Sequence, residues 1–455
     1  MKRPQDQYSA IYYSTLIASI GGLIVGYSTV IVSGVLLFLD NVFKLQLVQQ
    51  EIVVSIAILA AVIGVIVGGV VCNWFGRKPA LLLSAVIFMI ASVLSFFSDR
   101  YLILVISRGI MGLGAGIASL AVPLYISELV PSNIRGSSVC LMTLLFYMGV
   151  LLAYLINVWL VKSGSWKFTL SSPFIPALGL FIGMCYMPET PQWLLGNFKH
   201  EKAIQSLKRL RRFVDVELEI ENIKESSQFA ERDKEKFKKT IFKAGLIGCG
   251  VAFFMEVTGA HSVFYYIPTV LNKTGLWTRQ AAIDASMYIG VVCFVGAILA
   301  LSLIDRHGRR KLLVWGTSLM VFSLFSLAIL FHFTAYCHCH HGLMMILFLL
   351  FALGYILGLG SVGWLLIAEI FPLKYRSVMM ATAISVKWGT NFVISRFFLT
   401  QLTDFGGSLT FLTYGFIGVI AYLFIYFFVP ETGGKSLEAI EEQWINHSRY
   451  GFEID

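Results

Sequence analysis

The chain has 455 residues, of which 57% are hydrophobic and only 13% charged, with a mean hydropathy of +0.78. No soluble core hides that much apolar surface, whereas a bilayer accepts it in runs of about 20 residues. The net charge of +9 is spread over short loops rather than gathered on one face, which excludes nucleic acid as a partner.

The first apolar run covers 10–38, too long for a signal peptide and without a small-residue cleavage pattern. Further runs predict helices at 49–72, 79–98, 101–129, 136–161 and 168–187. The stretch 188–240 then alternates charge signs, from Glu201, Lys202, Lys208 and Arg209 to Glu217, Glu219, Glu221 and Lys224. It reads either as short surface helices or as a solvated charged linker. A second set of helices follows at 241–271, 280–304, 311–333, 343–370, 377–401 and 408–429. The expected organisation is an all-α membrane protein of twelve spans: a six-helix bundle over 1–187, a cytoplasmic helical linker over 188–240, a second bundle over 241–429 and a cytoplasmic tail over 430–455.

Alternate loops carry the cations. Lys2–Arg3, Arg77–Lys78, Arg135, Arg306 to Lys311 and Lys374–Arg376 fall on one side; Lys44, Arg100, Lys162, Lys167, Lys273 and Arg279 are sparser on the other. The positive-inside rule then puts both termini in the cytoplasm of a multi-pass protein, in a plasma membrane or a bacterial inner membrane.

The two halves repeat each other. Gly76-Arg77-Lys78 recurs 232 residues later as Gly308-Arg309-Arg310. The stretch from Glu128 through Pro131 to Arg135 recurs 241 residues on, from Glu369 through Pro372 to Arg376. Pro188-Glu189-Thr190 recurs 242 residues on as Pro430-Glu431-Thr432. Preserved order at nearly constant offset marks a parallel repeat, with the solute site between the halves near the midplane. Each motif sets charge at a cytoplasmic helix end. Arg77, Arg135, Arg309 and Arg376 there meet the carboxylates of Glu128, Glu189, Glu369 and Glu431 and nearby helix C-termini, which makes them candidates for a cytoplasmic gate.

Seven cysteines are present, most of them in or beside apolar runs, where they read as small packing residues. Cys337-His338-Cys339-His340-His341 lies in a predicted outer loop, but its spacing is not that of a structural zinc site, and no metal is expected. Asn272-Lys-Thr274 is a glycosylation sequon close to the membrane. No nucleophile–base pair, nucleotide loop or metal-ligand triad is visible, so an enzyme is not expected, nor a cofactor.

The combined motifs resemble the sugar porter family of the major facilitator superfamily, which includes glucose facilitators and bacterial sugar–proton symporters. They run from about Gly21 to Leu437: Gly26-Tyr27, Gly69 to Lys78, Arg108-Gly109 with Gly112, Gly114 and Gly116, Pro123 to Glu128, Pro188 to Trp193, Phe264-Tyr265-Tyr266, Asp305 to Arg310 and Pro430 to Leu437. Asn73 replaces the acidic residue usual in the first-half loop. The resemblance implies a small-molecule solute, a sugar or related polyol, with protons as a further candidate and membrane lipid as surroundings. It implies a functional monomer working by facilitated diffusion or proton-coupled symport through alternating access. Close packing at Gly68, Gly69, Gly112, Gly114 and Gly116 would permit the rocking that this requires.

Carried over position by position, the family's solute pocket is partly rewritten. Tyr265, Tyr266, Trp364, Trp388 and Asn391 are kept. Thr143 stands at a glutamine position, Met255-Glu256 replaces a Gln-Gln pair, and His261 and Lys387 replace asparagines. Glu256, His261 and Lys387 are ionisable groups in apolar runs, each costly unless paired or hydrated. They read as a helix-linking ion pair, as a site for a charged or amine-bearing solute, or, at Glu256 and His261, as proton carriers. Proton-coupled relatives often carry aspartate where this chain has Ser28, which favours a facilitator. A transporter of a charged solute and a non-transporting solute sensor remain the other readings. Arg108 is expected to be structural, hydrogen-bonding within the first bundle.

Overall fold

The computed structural model describes residues 9–130, 135–160, 165–210, 234–275, 277–334, 341–371 and 375–432. Among these residues the fold is all helical. In the first half, α1 (Ser9–Val30) and α2 (Val32–Phe43) are followed by α3 (Leu47–Trp74), α4 (Arg77–Phe96), α5 (Tyr101–Leu129) and α6 (Arg135–Leu160), then α7 (Trp166–Ser171) and α8 (Phe174–Tyr186). Two short helices, α9 (Pro191–Gly196) and α10 (His200–Leu210), follow. The second half holds α11 (Lys234–Val257), α12 (Ala260–Lys273), α13 (Arg279–His307), α14 (Arg309–Thr334) and α15 (His341–Tyr355). A π turn over Ile356–Gly360 then leads into α16 (Ser361–Glu369), α17 (Arg376–Asp404) and α18 (Gly406–Phe428).

Among the described residues, eleven helical segments are long and apolar enough to cross a membrane. The remaining predicted segment is present as the 29-residue α17, about 43 Å long at 1.5 Å per residue. It carries Lys387 and Arg396 in its body and is correspondingly less apolar.

Predicted helices break at four points: 10–38 at Ile31, and three more where local chemistry demands it. The run 241–271 begins earlier and splits at Gly259, whose φ of +79° lies in the left-handed region that a side chain rarely adopts. The run 343–370 changes to a π turn, with Gly358 at φ −100° and ψ −108°. The run 168–187 breaks at Ser172–Pro173, since proline gives no amide to a continuing helix. Hydropathy alone passes smoothly through all three. The charged stretch 188–240 does contain short helices at α9 and α10, while 211–233 lies outside the described residues. So do 335–340, with Cys337 to His340, and 433–455.

Small residues let α3 and α5 lie almost backbone to backbone. A Cβ on Gly112 would stand 2.0 Å from the Ala57 carbonyl oxygen, and one on Gly116 2.1 Å from that of Ala61. A larger residue there would force the helices apart. Within the halves α1 packs on α6, α4 on α5, α14 on α18 and α11 on α17; between them α3 packs on α17 and α6 on α13. Tyr154 also crosses, its hydroxyl donating to the Phe264 carbonyl at 2.8 Å.

Candidate functional site

The break at Gly259 puts Glu256 in the last turn of α11 and His261 in the first turn of α12. Interrupted membrane helices of this kind typically line solute sites, because their free ends present unpaired polar groups. Lys387 reaches the same point from α17. Its Nζ lies 2.5 Å from Glu256 Oε1, while His261 Nδ1 lies 2.9 Å from Glu256 Oε2. All three side chains are buried, with no more than 4% of any residue exposed. The Lys387 ammonium also lies 5.0 Å from the centre of the Trp364 ring and 4.9 Å from that of Trp388. Those rings favour a cation electrostatically but cannot replace a counter-ion. The carboxylate is therefore the hub, with one oxygen for the lysine and one for the imidazole.

Tyr355, from the end of α15, closes the group, its hydroxyl 3.3 Å from His261 Nδ1. Nothing in its apolar surroundings marks it in the sequence. One side of the group is a row of neutral polar side chains. Asn391 Nδ2 donates to the Tyr265 hydroxyl at 2.8 Å, and Ser395 Oγ donates to Asn391 Oδ1 at 2.8 Å. Ser262 Oγ lies 3.0 Å from Ser395 Oγ. The four-residue spacing of Asn391 and Ser395 on one helix face was the available signal for Ser395.

The expected pocket residues do not all converge. Thr143 and Trp364 line one small cavity of about 20 Å³ with Phe146 and Met142. Tyr265 and Trp388 line a second, also about 20 Å³, with Ser28 and Arg108. Each has room for about one or two water molecules. Tyr266 turns elsewhere: its hydroxyl donates to the Ser395 carbonyl at 3.1 Å and its ring stacks on Phe398 at 5.6 Å. Arg108 meets the structural expectation, donating to the Ser28 carbonyl at 3.2 Å and the Val53 carbonyl at 3.4 Å.

The repeated motifs form two clusters of matching design. Glu189 caps the N-terminus of α4, Oε1 accepting from the Arg77 amide at 3.1 Å and Oε2 from the Lys78 amide at 3.1 Å. Glu431 does the same for α14, accepting from the Arg309 amide at 2.9 Å and the Arg310 amide at 3.0 Å. The first amides of a helix have no intrahelical acceptor and sit at its positive end, so a carboxylate satisfies both needs. Arg77 Nη2 then pairs with Glu128 at 2.6 Å and Arg309 Nη2 with Glu369 at 3.3 Å. Thr190 and Thr432 donate to the other oxygens of Glu128 and Glu369 at 2.7 and 2.8 Å.

Helix C-termini are served as well: Arg77 Nη1 donates to the Cys72 carbonyl at 3.1 Å, and Arg310 Nη2 to that of Tyr426 at 2.6 Å. Gly76 and Gly308 have φ of +111° and +83°, and a Cβ there would strike Glu189 Oε2 at 2.2 Å and Glu431 Oε2 at 2.6 Å. Burial pushes the Glu189 carboxyl up, against the pull of the Thr190, Lys78 and Arg77 amides. These named contacts each run within their own half. Arg376 is buried at the start of α17, its Nη2 3.5 Å from the Phe371 carbonyl. The side chain of Arg135 lies outside the described residues.

Residues 14–444 match the family model described as sugar (and other) transporter. The chain is 33% identical over 448 residues to the probable metabolite transport protein CsbC of Bacillus subtilis (strain 168), covering 97% of this chain and 95% of that one. It is 31% identical to the arabinose-proton symporter of the same organism, over 94% of each. In structure it matches the Escherichia coli proton:xylose symporter XylE bound to 6-bromo-6-deoxy-D-glucose, with a TM-score of 0.86 and 29% identity, covering 96% of this chain and 100% of that one. A whole-chain match of sequence, helical frame and repeated motifs makes this protein a multi-pass membrane transporter that belongs to the sugar porter family of the major facilitator superfamily.

Proposed function

We propose that this transporter carries a sugar or related polyol by alternating access through a twelve-span frame, with α17 as the span that lines the site. The halves 1–187 and 241–429 rock about the central group, and 188–240, the tail 430–455 and both termini lie in the cytoplasm. The positive-inside pattern and the paired motif clusters support this arrangement. The solute class is supported by relatives that move arabinose or xylose with protons. Asn391, Tyr265, Ser262 and Ser395 supply the amide and hydroxyl groups that suit a neutral polyol.

The observation that carries the mechanism is the Glu256 carboxylate held between Lys387 and His261. It substitutes for the helix-1 aspartate that Ser28 replaces, and the Glu256–His261 pair takes up the transported proton. A proton on either member cancels the pair's net negative charge, which weakens the counter-charge that holds the Lys387 ammonium beside the Trp364 and Trp388 rings. An unpaired ion within a bilayer costs about 2.5–3.5 kcal/mol, so the protonated group favours a form that opens to water. Both carboxylate oxygens are already engaged, which disfavours the amine-bearing solute. Purified protein in liposomes, given labelled pentoses, hexoses and polyols, tests the reading. An imposed proton gradient should drive accumulation of a sugar above equilibrium. Equilibration without accumulation would leave a facilitator, and binding without flux would end the transport reading.

A further inference from the structure

A fully buried carboxylate sits outside the motifs and outside the central group. Glu51 lies in the second turn of α3, with no exposed surface. Its Oε2 accepts from Arg396 Nη1 at 2.6 Å and from Thr400 Oγ1 at 3.1 Å. Its Oε1 accepts from the Thr400 backbone amide at 2.8 Å. Arg396 and Thr400 are on α17, so all three bonds join one half of the chain to the other.

The position along the helices gives these bonds their meaning. Glu51 is 23 residues before Trp74, hence about 35 Å along α3 from the end that adjoins the Arg77 cluster. Arg396 is 20 residues after Arg376, about 30 Å along α17 from its start. The contact therefore stands at the membrane face opposite both motif clusters. Those clusters bind helix ends within a half, whereas this one binds the halves to each other. The Glu51 carboxylate keeps these three donors only while α3 and α17 touch, and water replaces all of them on separation, so the contact can be released without leaving a bare charge. The second cavity, lined by Val54 and Ile58 with Arg108 and Trp388, lies one and two turns further along the same face of α3.

We infer that Glu51, Arg396 and Thr400 form a clasp that closes this face of the transporter, and that parting α3 from α17 here opens the path to the central site. The role rests on the alternating-access reading, because only a protein that opens to each side in turn needs a releasable contact at each face. Weakening the clasp shifts the population toward the form open at this face, whichever solute is carried.

The test uses Val54→Cys, buried beneath the clasp, in full-length protein in liposomes, with a membrane-impermeant maleimide and the parent chain as background. Glu51→Gln keeps an oxygen for the Thr400 amide but loses the ion pair. It should speed Val54→Cys labelling at least threefold, and Arg396→Gln should match it. The double variant should label no faster than either single one, and Arg396→Lys should return to the slow rate. Unchanged labelling in both single variants, or additive effects in the double, would overturn the clasp, as would fast labelling in Arg396→Lys. Sugar uptake by the same liposomes separates the two claims. Uptake with unchanged labelling removes the clasp alone, whereas no uptake by the parent protein removes the transport reading and the clasp's role with it.

Discussion

The two motif clusters and the central group treat buried charge in opposite ways. Around Glu189 and Glu431 the carboxylates cap helix N-termini, and the same bonds recur in both halves with distances that differ by a few tenths of an ångström. The central group occurs once: Glu256, His261 and Lys387 all come from the second half. A cap serves backbone geometry, which a duplicated frame must keep twice. A solute or proton site serves chemistry, which needs one copy and is free to diverge. The contrast explains why the clusters follow the family pattern while the pocket departs from it.

The largest effect is expected at Lys387. Lys387→Met leaves the Glu256 carboxylate buried with His261 as its remaining close partner. Losing one member of a buried pair costs about 3–5 kcal/mol, so uptake should fall by more than tenfold at neutral pH. Wild-type uptake would show that the pair is dispensable. The clusters predict a smaller effect, and an equal one. Gly76→Ala and Gly308→Ala each force a side chain into positive φ against a capping carboxylate, costing about 1–3 kcal/mol. Thermal unfolding in detergent should fall by similar amounts for both; a large drop for one and none for the other would show that the clusters are not equivalent. Smallest is Tyr355→Phe, which removes one hydrogen bond to His261, worth about 0.5–1.5 kcal/mol. Solute affinity should change by no more than about tenfold, and the pH profile of uptake should move without flattening.

Much of the frame was legible because a bilayer imposes run lengths that composition cannot disguise. The helix pairs of the repeat and the paired clusters were readable from spacing, whereas the cost of charge in apolar surroundings singled out Glu256, His261 and Lys387 but left a helix-linking ion pair as one of several readings. The breaks were not readable. Val257-Thr258-Gly259-Ala260 continues an apolar run, and only the backbone shows Gly259 turning left-handed to bring His261 to Glu256. Glu51 was also hidden. An acidic residue near a helix start usually marks a solvated end, and nothing local signals a partner 345 residues away. Tyr266, a kept motif residue, has a hydroxyl that serves the Ser395 carbonyl, a bond that the motif does not signal.

The proposed role of Glu256 is to link proton movement to sugar movement, and Glu256→Gln in liposomes puts that role to the test. Sugar counterflow, which needs no proton turnover, should persist, while accumulation driven by a proton gradient should disappear. Accumulation at the wild-type level in Glu256→Gln would rule out coupling through this carboxylate and return it to a purely structural role.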